Sequence, residues 1–152
     1  MPRFQQSVVI DRPPAEVFAF ATDLDAAGAW MPDIVKIEPL TDGPIGEGYR
    51  WKETRRCGKR EGTAELEIRE HRGPGAGGPP YVHAAGNRMM GVDSEYRFTF
   101  AEANGGGTKV DLDATIKGVS LLGKVMAGPF KKMIEKQDHD LLERLKAAVE
   151  TG

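Results

Sequence analysis

The sequence predicts a single α+β domain in which a curved antiparallel sheet of about seven strands wraps around a long C-terminal helix. Hydrophobic and polar residues alternate through most of residues 4–116, which is the period of strands with one buried face. After residue 120 the apolar residues recur at steps of three and four, which is the period of an amphipathic helix. An antiparallel sheet must cover its apolar face, and only this helix is long enough to do so.

Composition limits the possible classes of function. The 152 residues suffice for one domain, so we assign residues 1–152 to it. A formal net charge of -2 gives no field that favours nucleic acid as a partner. The single cysteine, Cys57, excludes an internal disulfide and a cysteine-rich metal site. No apolar run approaches the ~20 residues of a membrane-spanning helix, so we expect a cytoplasmic protein without stable membrane insertion.

The chain is expected to start with a strand followed by two short helices. Residues 4–10 alternate in polarity and predict the strand. Pro14 suits the first turn of a helix that continues to about Thr22, because the N–H group that proline lacks would have no partner there. A second short helix is predicted from Leu24 to about Trp30. The later strands are expected near Ile34 and over residues 49–54, 63–69, 81–85, 95–100 and 109–116.

The C-terminal segment predicts an amphipathic helix. Its apolar residues extend from Leu122 to Val149, with charged residues lying mostly between them. We expect an interruption near Gly128–Pro129, because proline removes a backbone hydrogen bond. No long exposed apolar face is expected on this helix.

Three stretches of the chain carry a resemblance to a known family. They are SVVIDRPPAEVFAFATDLDAAGAWMPDI near the start, EYRFTF followed by GGGTKVDLDATI, and DLLERLKAAVE in the C-terminal helix. Over nearly its whole length the chain resembles the START-like helix-grip superfamily, also called the polyketide cyclase/dehydrase and lipid-transport group. The resemblance implies a helix-grip fold, with the short helices closing one end of the groove. It also implies an apolar ligand cavity between the sheet and the long helix.

Alternation within the strands, taken with this resemblance, gives the side chains expected to line the cavity. Aromatic residues and methionines suit such a wall, since methionine adapts its shape and tyrosine or tryptophan adds one polar group. The alternative is a filled core, because apolar stripes usually pack against one another. The residues expected to bind ligand are Tyr49, Trp51, Leu66, Tyr81, Met90, Tyr96, Phe98, Leu112, Met126, Phe130 and Met133.

Two polar residues on the inner face are conditional candidates for catalysis. Glu53 continues the inward series of its strand, and His83 lies in the middle of another, so either could act as an acid or base. The alternative for Glu53 is a rim position paired with Arg55 or Lys59. The alternative for His83 is a solvated or hydrogen-bonded core residue. His71 is expected to be exposed.

Other motifs indicate no further site. The three histidines lack metal-ligand spacing, and no metal or organic cofactor is expected. Residues 55–60 are strongly basic, but they lie in an expected hairpin turn without interleaved aromatics, so a solvated turn is favoured over a nucleic-acid contact.

These features leave three hypotheses open. The first is binding or transport of a small hydrophobic molecule, either lipid-like or aromatic and polyketide-like, in the cavity. The second is an aromatase/cyclase or dehydratase that acts in the same cavity and uses Glu53 or His83. The third is an interaction protein that docks a partner through the helix or through Met89–Met90. Few inward polar groups favour binding over catalysis, and we expect a monomer or a weak homodimer.

Overall fold

The computed structural model describes residues 3–151. Within this range seven strands form one antiparallel sheet in the order β1-β7-β6-β5-β4-β3-β2, and the helices follow β1 and β7. The predicted α+β architecture and element order are therefore confirmed, and they are consistent with a helix-grip fold. The strands are β1 (Arg3–Ile10), β2 (Ile34–Pro39), β3 (Arg50–Cys57), β4 (Arg60–Arg72), β5 (Tyr81–Met89), β6 (Val92–Glu102) and β7 (Thr108–Gly118). The helices are α1 (Pro14–Thr22), a 3₁₀ helix (Leu24–Ala29), α2 (Leu121–Asp138) and α3 (Leu141–Thr151).

The sheet owes its two unlike faces to the alternation in the sequence. Along β7 every second side chain is buried, while the residues between them are partly or fully exposed. In β4 the register shifts between Ile68 and Glu70, which is a bulge that bends the strand. The buried side of the sheet packs against α3 through a continuous apolar cluster. On α3 this cluster includes Leu141, Leu142, Leu145 and Val149.

The C-terminal helix is broken at residues 139–140, not at Gly128–Pro129 as the sequence predicts. Pro129 lies inside α2 on an exposed side, where the carbonyl group left without a donor can bond to water. The observed break is stabilised by Gln6 of β1. Its Nε2 donates to the carbonyl oxygen of Asp138 at 2.6 Å, and its Oε1 accepts from the backbone N–H of Leu142 at 3.0 Å. One side chain thus bonds a backbone group at the end of α2 and another at the start of α3.

The expectation that the helix has no exposed apolar face is also wrong. The side of α2 that packs against the sheet is narrow, with Gly123 and Ala127 buried. Elsewhere on the helix Leu121 is 85% exposed and Val125 is 70% exposed, and Leu122 and Met133 are exposed as well. Helical spacing gave the period of the apolar residues, but the narrow contact with the sheet leaves part of them in solvent. No helix within residues 3–151 is both long and apolar enough to cross a membrane.

Candidate ligand cavity

A cavity of about 410 Å³ lies between α2 and the inner face of β3 to β6. The end of α1 and the segment from Leu24 to Met31 contribute to its wall. Most of the lining side chains are buried or half-buried. Those that are exposed are Met89, Met90 and Met133, so the cavity opens to solvent beside them. We call this opening the cavity mouth.

Seven of the eleven side chains expected to bind ligand lie on the cavity wall. They come from three strands, the β5–β6 turn and α2, so residues distant in sequence are brought to one surface. Both tryptophans of the chain, Trp30 and Trp51, line the cavity, although the sequence singled out only the second. The seven residues are Trp51, Leu66, Met90, Tyr96, Phe98, Phe130 and Met133.

The other four lie in packed clusters away from the wall. Tyr49 packs beside Trp51 and Ile68, and Met126 packs against the cluster of Val92, Ile116 and Ala127. Tyr81 and Leu112 belong to the main core under α3. Alternation correctly assigns a side chain to one face of a strand, but it does not say how far along the strand the cavity extends.

Glu53 and His83 both line the cavity, and each is 8% exposed. Glu53 is not at a rim, but it does pair with Arg55, as one of the alternatives proposed. Its Oε2 accepts from Arg55 Nε at 2.6 Å, and its Oε1 accepts from Trp51 Nε1 at 3.3 Å. A buried carboxylate needs such donors, because removing it from water without them is strongly unfavourable.

Arg55 connects Glu53 to Asp138, the buried residue at the end of α2. Asp138 Oδ1 accepts from Arg55 Nη1 at 3.4 Å and from Arg144 Nη2 at 3.3 Å. Its Oδ2 accepts from Tyr96 O–H at 2.5 Å. We call Glu53, Arg55, Tyr96, Asp138 and Arg144 the polar cluster. Two carboxylates face two guanidinium groups, so the formal charges of the cluster cancel.

The environment of the cluster fixes the protonation of two of its members. Burial raises the pKa of Tyr96, and the neighbouring Asp138 raises it further, so the phenol remains a hydrogen-bond donor. Burial alone would lower the pKa of Arg55, but Glu53 and Asp138 outweigh it and raise the pKa above its ordinary value. No motif in the sequence marks Asp138 as a site residue, because only the folded chain brings the end of α2 to β3 and β6.

His83 forms a second polar feature of the wall, together with His71. The Nδ1 atoms of the two rings lie 3.1 Å apart across β4 and β5, and His71 is half-buried, not exposed as expected. Burial lowers the pKa of His83 to about 4, with a further contribution from His71. Burial also lowers the pKa of His71. Two neutral rings can share this hydrogen bond, since the protonated Nδ1 of one ring donates and the unprotonated Nδ1 of the other accepts.

The described residues contain no group of three or more histidine, cysteine, aspartate or glutamate side chains arranged to hold a metal ion. The side chains that line the wall can supply chemistry of three kinds. A large apolar surface can bind hydrocarbon, the polar cluster can offer or accept hydrogen bonds, and His83 can accept a proton.

Comparisons with known proteins agree with this architecture. A family model described as polyketide cyclase/dehydrase and lipid transport matches residues 1–150. A search of curated proteins found no match. Among solved structures, TTHA0849 from Thermus thermophilus is similar at a TM-score of 0.72 and 18% identity, covering 99% of this chain and 98% of that chain.

Two further solved structures are similar over nearly the whole chain. The Zhui aromatase/cyclase from Streptomyces sp. R1128 has a TM-score of 0.74 at 13% identity, covering 98% of this chain and 93% of that one. A START superfamily protein from Mycobacterium smegmatis has a TM-score of 0.73 at 16% identity, covering 98% and 97%. At these identities the likeness establishes the fold alone.

Proposed function

Because the chain belongs to the polyketide cyclase/dehydrase and lipid-transport family, we propose that it binds one small, mainly apolar molecule, lipid-like or aromatic, in the cavity. The observation that carries this proposal is the combination of a mainly apolar wall with a charge-balanced polar cluster on one side. A volume of about 410 Å³ lies within the ~300–1,000 Å³ typical of small-molecule sites.

The polar cluster supports a ligand that carries at least one oxygen atom. Arg55 Nη2 donates to the thioether sulfur of Met31 at 3.3 Å, and a thioether is a weak acceptor. A carbonyl, hydroxyl or phenol oxygen of a ligand would be a stronger acceptor for this N–H group. Since the formal charges of the cluster already cancel, a neutral oxygen fits it better than a third carboxylate does.

An enzyme of the aromatase/cyclase or dehydratase type is the second candidate, and His83 is the observation that favours it. The low pKa of His83 keeps its ring neutral near pH 7, so its ring nitrogen can accept a hydrogen bond or a proton from a ligand in the cavity, although the same lowered pKa makes it a weak base. Glu53 supports this role less well, because both of its oxygens already accept hydrogen bonds. Binding therefore remains the first proposal, and the same cavity would serve both functions.

The test is to fill the cavity without changing the rest of the fold. Ala64 lines the cavity on β4, whereas Glu67 lies on the same strand and is exposed. Binding of the neutral probe N-phenyl-1-naphthylamine would be followed by its fluorescence and by quenching of Trp30 and Trp51. We expect Ala64→Phe to weaken probe binding at least about tenfold, because the added ring occupies the cavity. The matched control Glu67→Phe should bind as the wild type does.

Denaturant unfolding of both variants would confirm that they remain folded. Equal probe affinity in the wild type and in Ala64→Phe would contradict binding in this cavity. Native mass spectrometry of protein isolated from its own source gives a second readout. A co-purifying apolar molecule that is absent from Ala64→Phe would support the proposal, and the same molecule retained by that variant would contradict it.

A further inference from the structure

Large apolar side chains are exposed around the cavity mouth. Of the ten exposed large hydrophobic residues within residues 3–151, seven lie at the β5–β6 turn or between Val119 and Met133. We call these seven residues the rim patch. They are Met89, Met90, Val119, Leu121, Leu122, Val125 and Met133. Such a concentration of apolar surface marks an interaction site more often than scattered exposed residues do.

The two segments that carry the rim patch are in direct contact. Val119 N–H donates to the Gly91 carbonyl oxygen at 2.8 Å. Gly91 and Gly123 approach so closely that a Cβ atom on Gly123 would lie 1.7 Å from the same oxygen. The turn and the start of α2 thus form one surface. Met89, Met90 and Met133 belong both to this surface and to the cavity wall, so the apolar surface continues from the outside into the cavity.

The β5–β6 turn holds a methionine where small polar residues are preferred. Met90 and Gly91 are the two central residues of the turn, with φ of 53° and 73°. Two-residue hairpin turns with two positive φ values favour asparagine, aspartate or glycine at these positions. Met90 instead projects an exposed apolar side chain at the tip of the hairpin. Met90 thus adopts a backbone conformation that is unfavourable for methionine, and its side chain faces outward. Strained positions of this kind are typical of functional sites.

Positive charge surrounds the rim patch, although the whole chain carries a formal net charge of -2. Over residues 117–136 the acidic side chain is Glu135, which pairs with Lys131. The described residues provide no carboxylate within ion-pair distance of the four exposed lysines in this range. These four are Lys117, Lys124, Lys132 and Lys136.

The β3–β4 hairpin adds further basic residues beside α2. Gln137 Nε2 donates to the carbonyl oxygen of Arg56 at 3.2 Å, which places Arg56 and the neighbouring Lys59 and Arg60 next to the end of α2. Glu61 lies opposite Arg56 in this hairpin. At the other edge, Asp93 is already paired with Arg69. The uncompensated charge around the rim patch is therefore positive.

We propose that the rim patch docks on an anionic lipid surface. Leu121, Val125 and Met90 would enter the boundary between headgroups and acyl chains, and the surrounding lysines would contact the headgroups. This inference rests on the proposed function, because it gives a lipid-like ligand a path between the bilayer and the cavity. The path is the methionine surface shared by the rim patch and the wall, along which the ligand need not cross bulk water.

A lipid surface explains the rim patch better than a second copy of the chain does. A symmetric dimer through this patch would place the same lysines of both copies near one another, and like charges at an interface repel. An anionic surface instead satisfies the apolar and the basic residues together. The docking is peripheral, since it uses the side of a helix and the tip of a hairpin.

Vesicle co-sedimentation tests this proposal directly. The probes are vesicles of phosphatidylcholine alone and vesicles of phosphatidylcholine and phosphatidylglycerol in equal amounts. We expect the wild type to bind the mixed vesicles at least about tenfold more strongly, and the difference to shrink as salt is raised. Leu121→Ser with Val125→Ser should reduce binding to the mixed vesicles about tenfold or more. Lys124→Glu with Lys132→Glu should do the same.

The matched control replaces two exposed apolar residues outside the rim patch, Val35→Ser with Leu40→Ser. It should bind vesicles as the wild type does. Unchanged binding by the Leu121/Val125 variant would overturn the proposal, as would equal binding of the wild type to both kinds of vesicle. A concentration-dependent dimer in size-exclusion chromatography that this variant abolishes would instead assign the rim patch to self-association.

The two proposals fail in distinguishable ways. Neither Leu121 nor Val125 lines the cavity. In the absence of vesicles, the Leu121→Ser/Val125→Ser variant should therefore bind N-phenyl-1-naphthylamine as tightly as the wild type. A wild type that binds mixed vesicles but not the probe would refute ligand binding and leave docking supported. A wild type that binds the probe but no vesicles would refute docking alone.

Discussion

Arg55 bonds to Glu53 two positions earlier on its own strand and to Asp138 at the end of α2. This shared cation is what lets two carboxylates lie at an apolar wall, because an unpaired buried carboxylate is strongly disfavoured. Tyr96 and Arg144 add further donors to Asp138. With both carboxylates already engaged, His83 is the remaining neutral base on the wall. The titratable side chains that line the wall thus divide between the polar cluster and His83.

The pH dependence of stability tests the environment of His83. Its pKa is lowered to about 4 in the folded chain, against 6.5 as the ordinary value. Between these pH values the unfolded chain binds a proton that the folded chain does not, so unfolding becomes easier as pH falls. The contribution of neutral, buried His83 to the free energy of unfolding is complete above about pH 6.5 and is lost progressively down to about pH 4. This difference in pKa corresponds to at most about 3.5 kcal/mol in the free energy of unfolding, at about 1.4 kcal/mol per pKa unit.

Denaturant unfolding of the wild type and of His83→Gln across this pH range would measure the effect. The variant should lose less stability on acidification, although it retains the contribution of the half-buried His71, which acts in the same direction. Parallel stability curves for the two proteins between pH 6.5 and 4 would show that burial of His83 does not suppress its protonation.

At the scale of elements, the position of α2 depends on a close approach between backbones. The helix begins after Ser120, whose side chain accepts from the Gly123 N–H at 3.0 Å, as an N-cap does. Gly123 then faces the Gly91 carbonyl group in the β5–β6 turn. The absence of a side chain at Gly123 lets the helix lie against the turn, and this contact places the rim patch beside the cavity mouth.

Two glycines of α2 provide a matched comparison. Gly123→Ala would force a Cβ atom against the Gly91 carbonyl oxygen, so we expect a loss of about 1–3 kcal/mol in the free energy of unfolding. Gly128→Ala meets nothing within 4 Å and should instead stabilise the helix by up to about 1 kcal/mol. Urea unfolding at a single pH would measure both. Equal effects of the two substitutions would mean that α2 can move away from the turn without loss.

At the scale of the whole molecule, the fold combines a packed core with an open cavity. The core lies under α3, where β1, β6 and β7 meet the helix, and it includes Phe100, which has no exposed surface. The cavity lies next to this core, under α2, and Trp30, Phe98 and Leu141 border both. Phe130 belongs to its wall and is only half-buried. The two rings should therefore differ in how much each one contributes to stability.

Truncation of each ring measures this difference. Phe100→Ala should lower the free energy of unfolding by about 3–5 kcal/mol, because it leaves a new void in a packed core. Phe130→Ala should lower it by less than about 2 kcal/mol, since its ring already borders open space, and it should alter N-phenyl-1-naphthylamine binding. Chemical unfolding and probe titration check both. A loss of about 3 kcal/mol or more for Phe130→Ala, with unchanged probe binding, would place that ring in a filled core.

The sequence by itself determined the order of the elements, the faces of the strands and the long C-terminal helix. These depend on periods of two and of three to four residues, which are local properties of the chain. Seven of the side chains expected to bind ligand lie on the wall for the same reason. The local pattern could not locate Tyr49 or Leu112 relative to the cavity, because both lie on the correct face but beyond its wall.

Only the tertiary structure decided which distant residues meet. The break of the C-terminal helix falls where Gln6 bonds both helix ends, and not at Pro129, because a partner in β1 outweighs the local preference of proline. The pairing of Arg55 with Asp138 and the close approach of Gly91 to Gly123 likewise join segments far apart in sequence. Contacts of this kind depend on sheet register and helix placement, which no short stretch of sequence encodes.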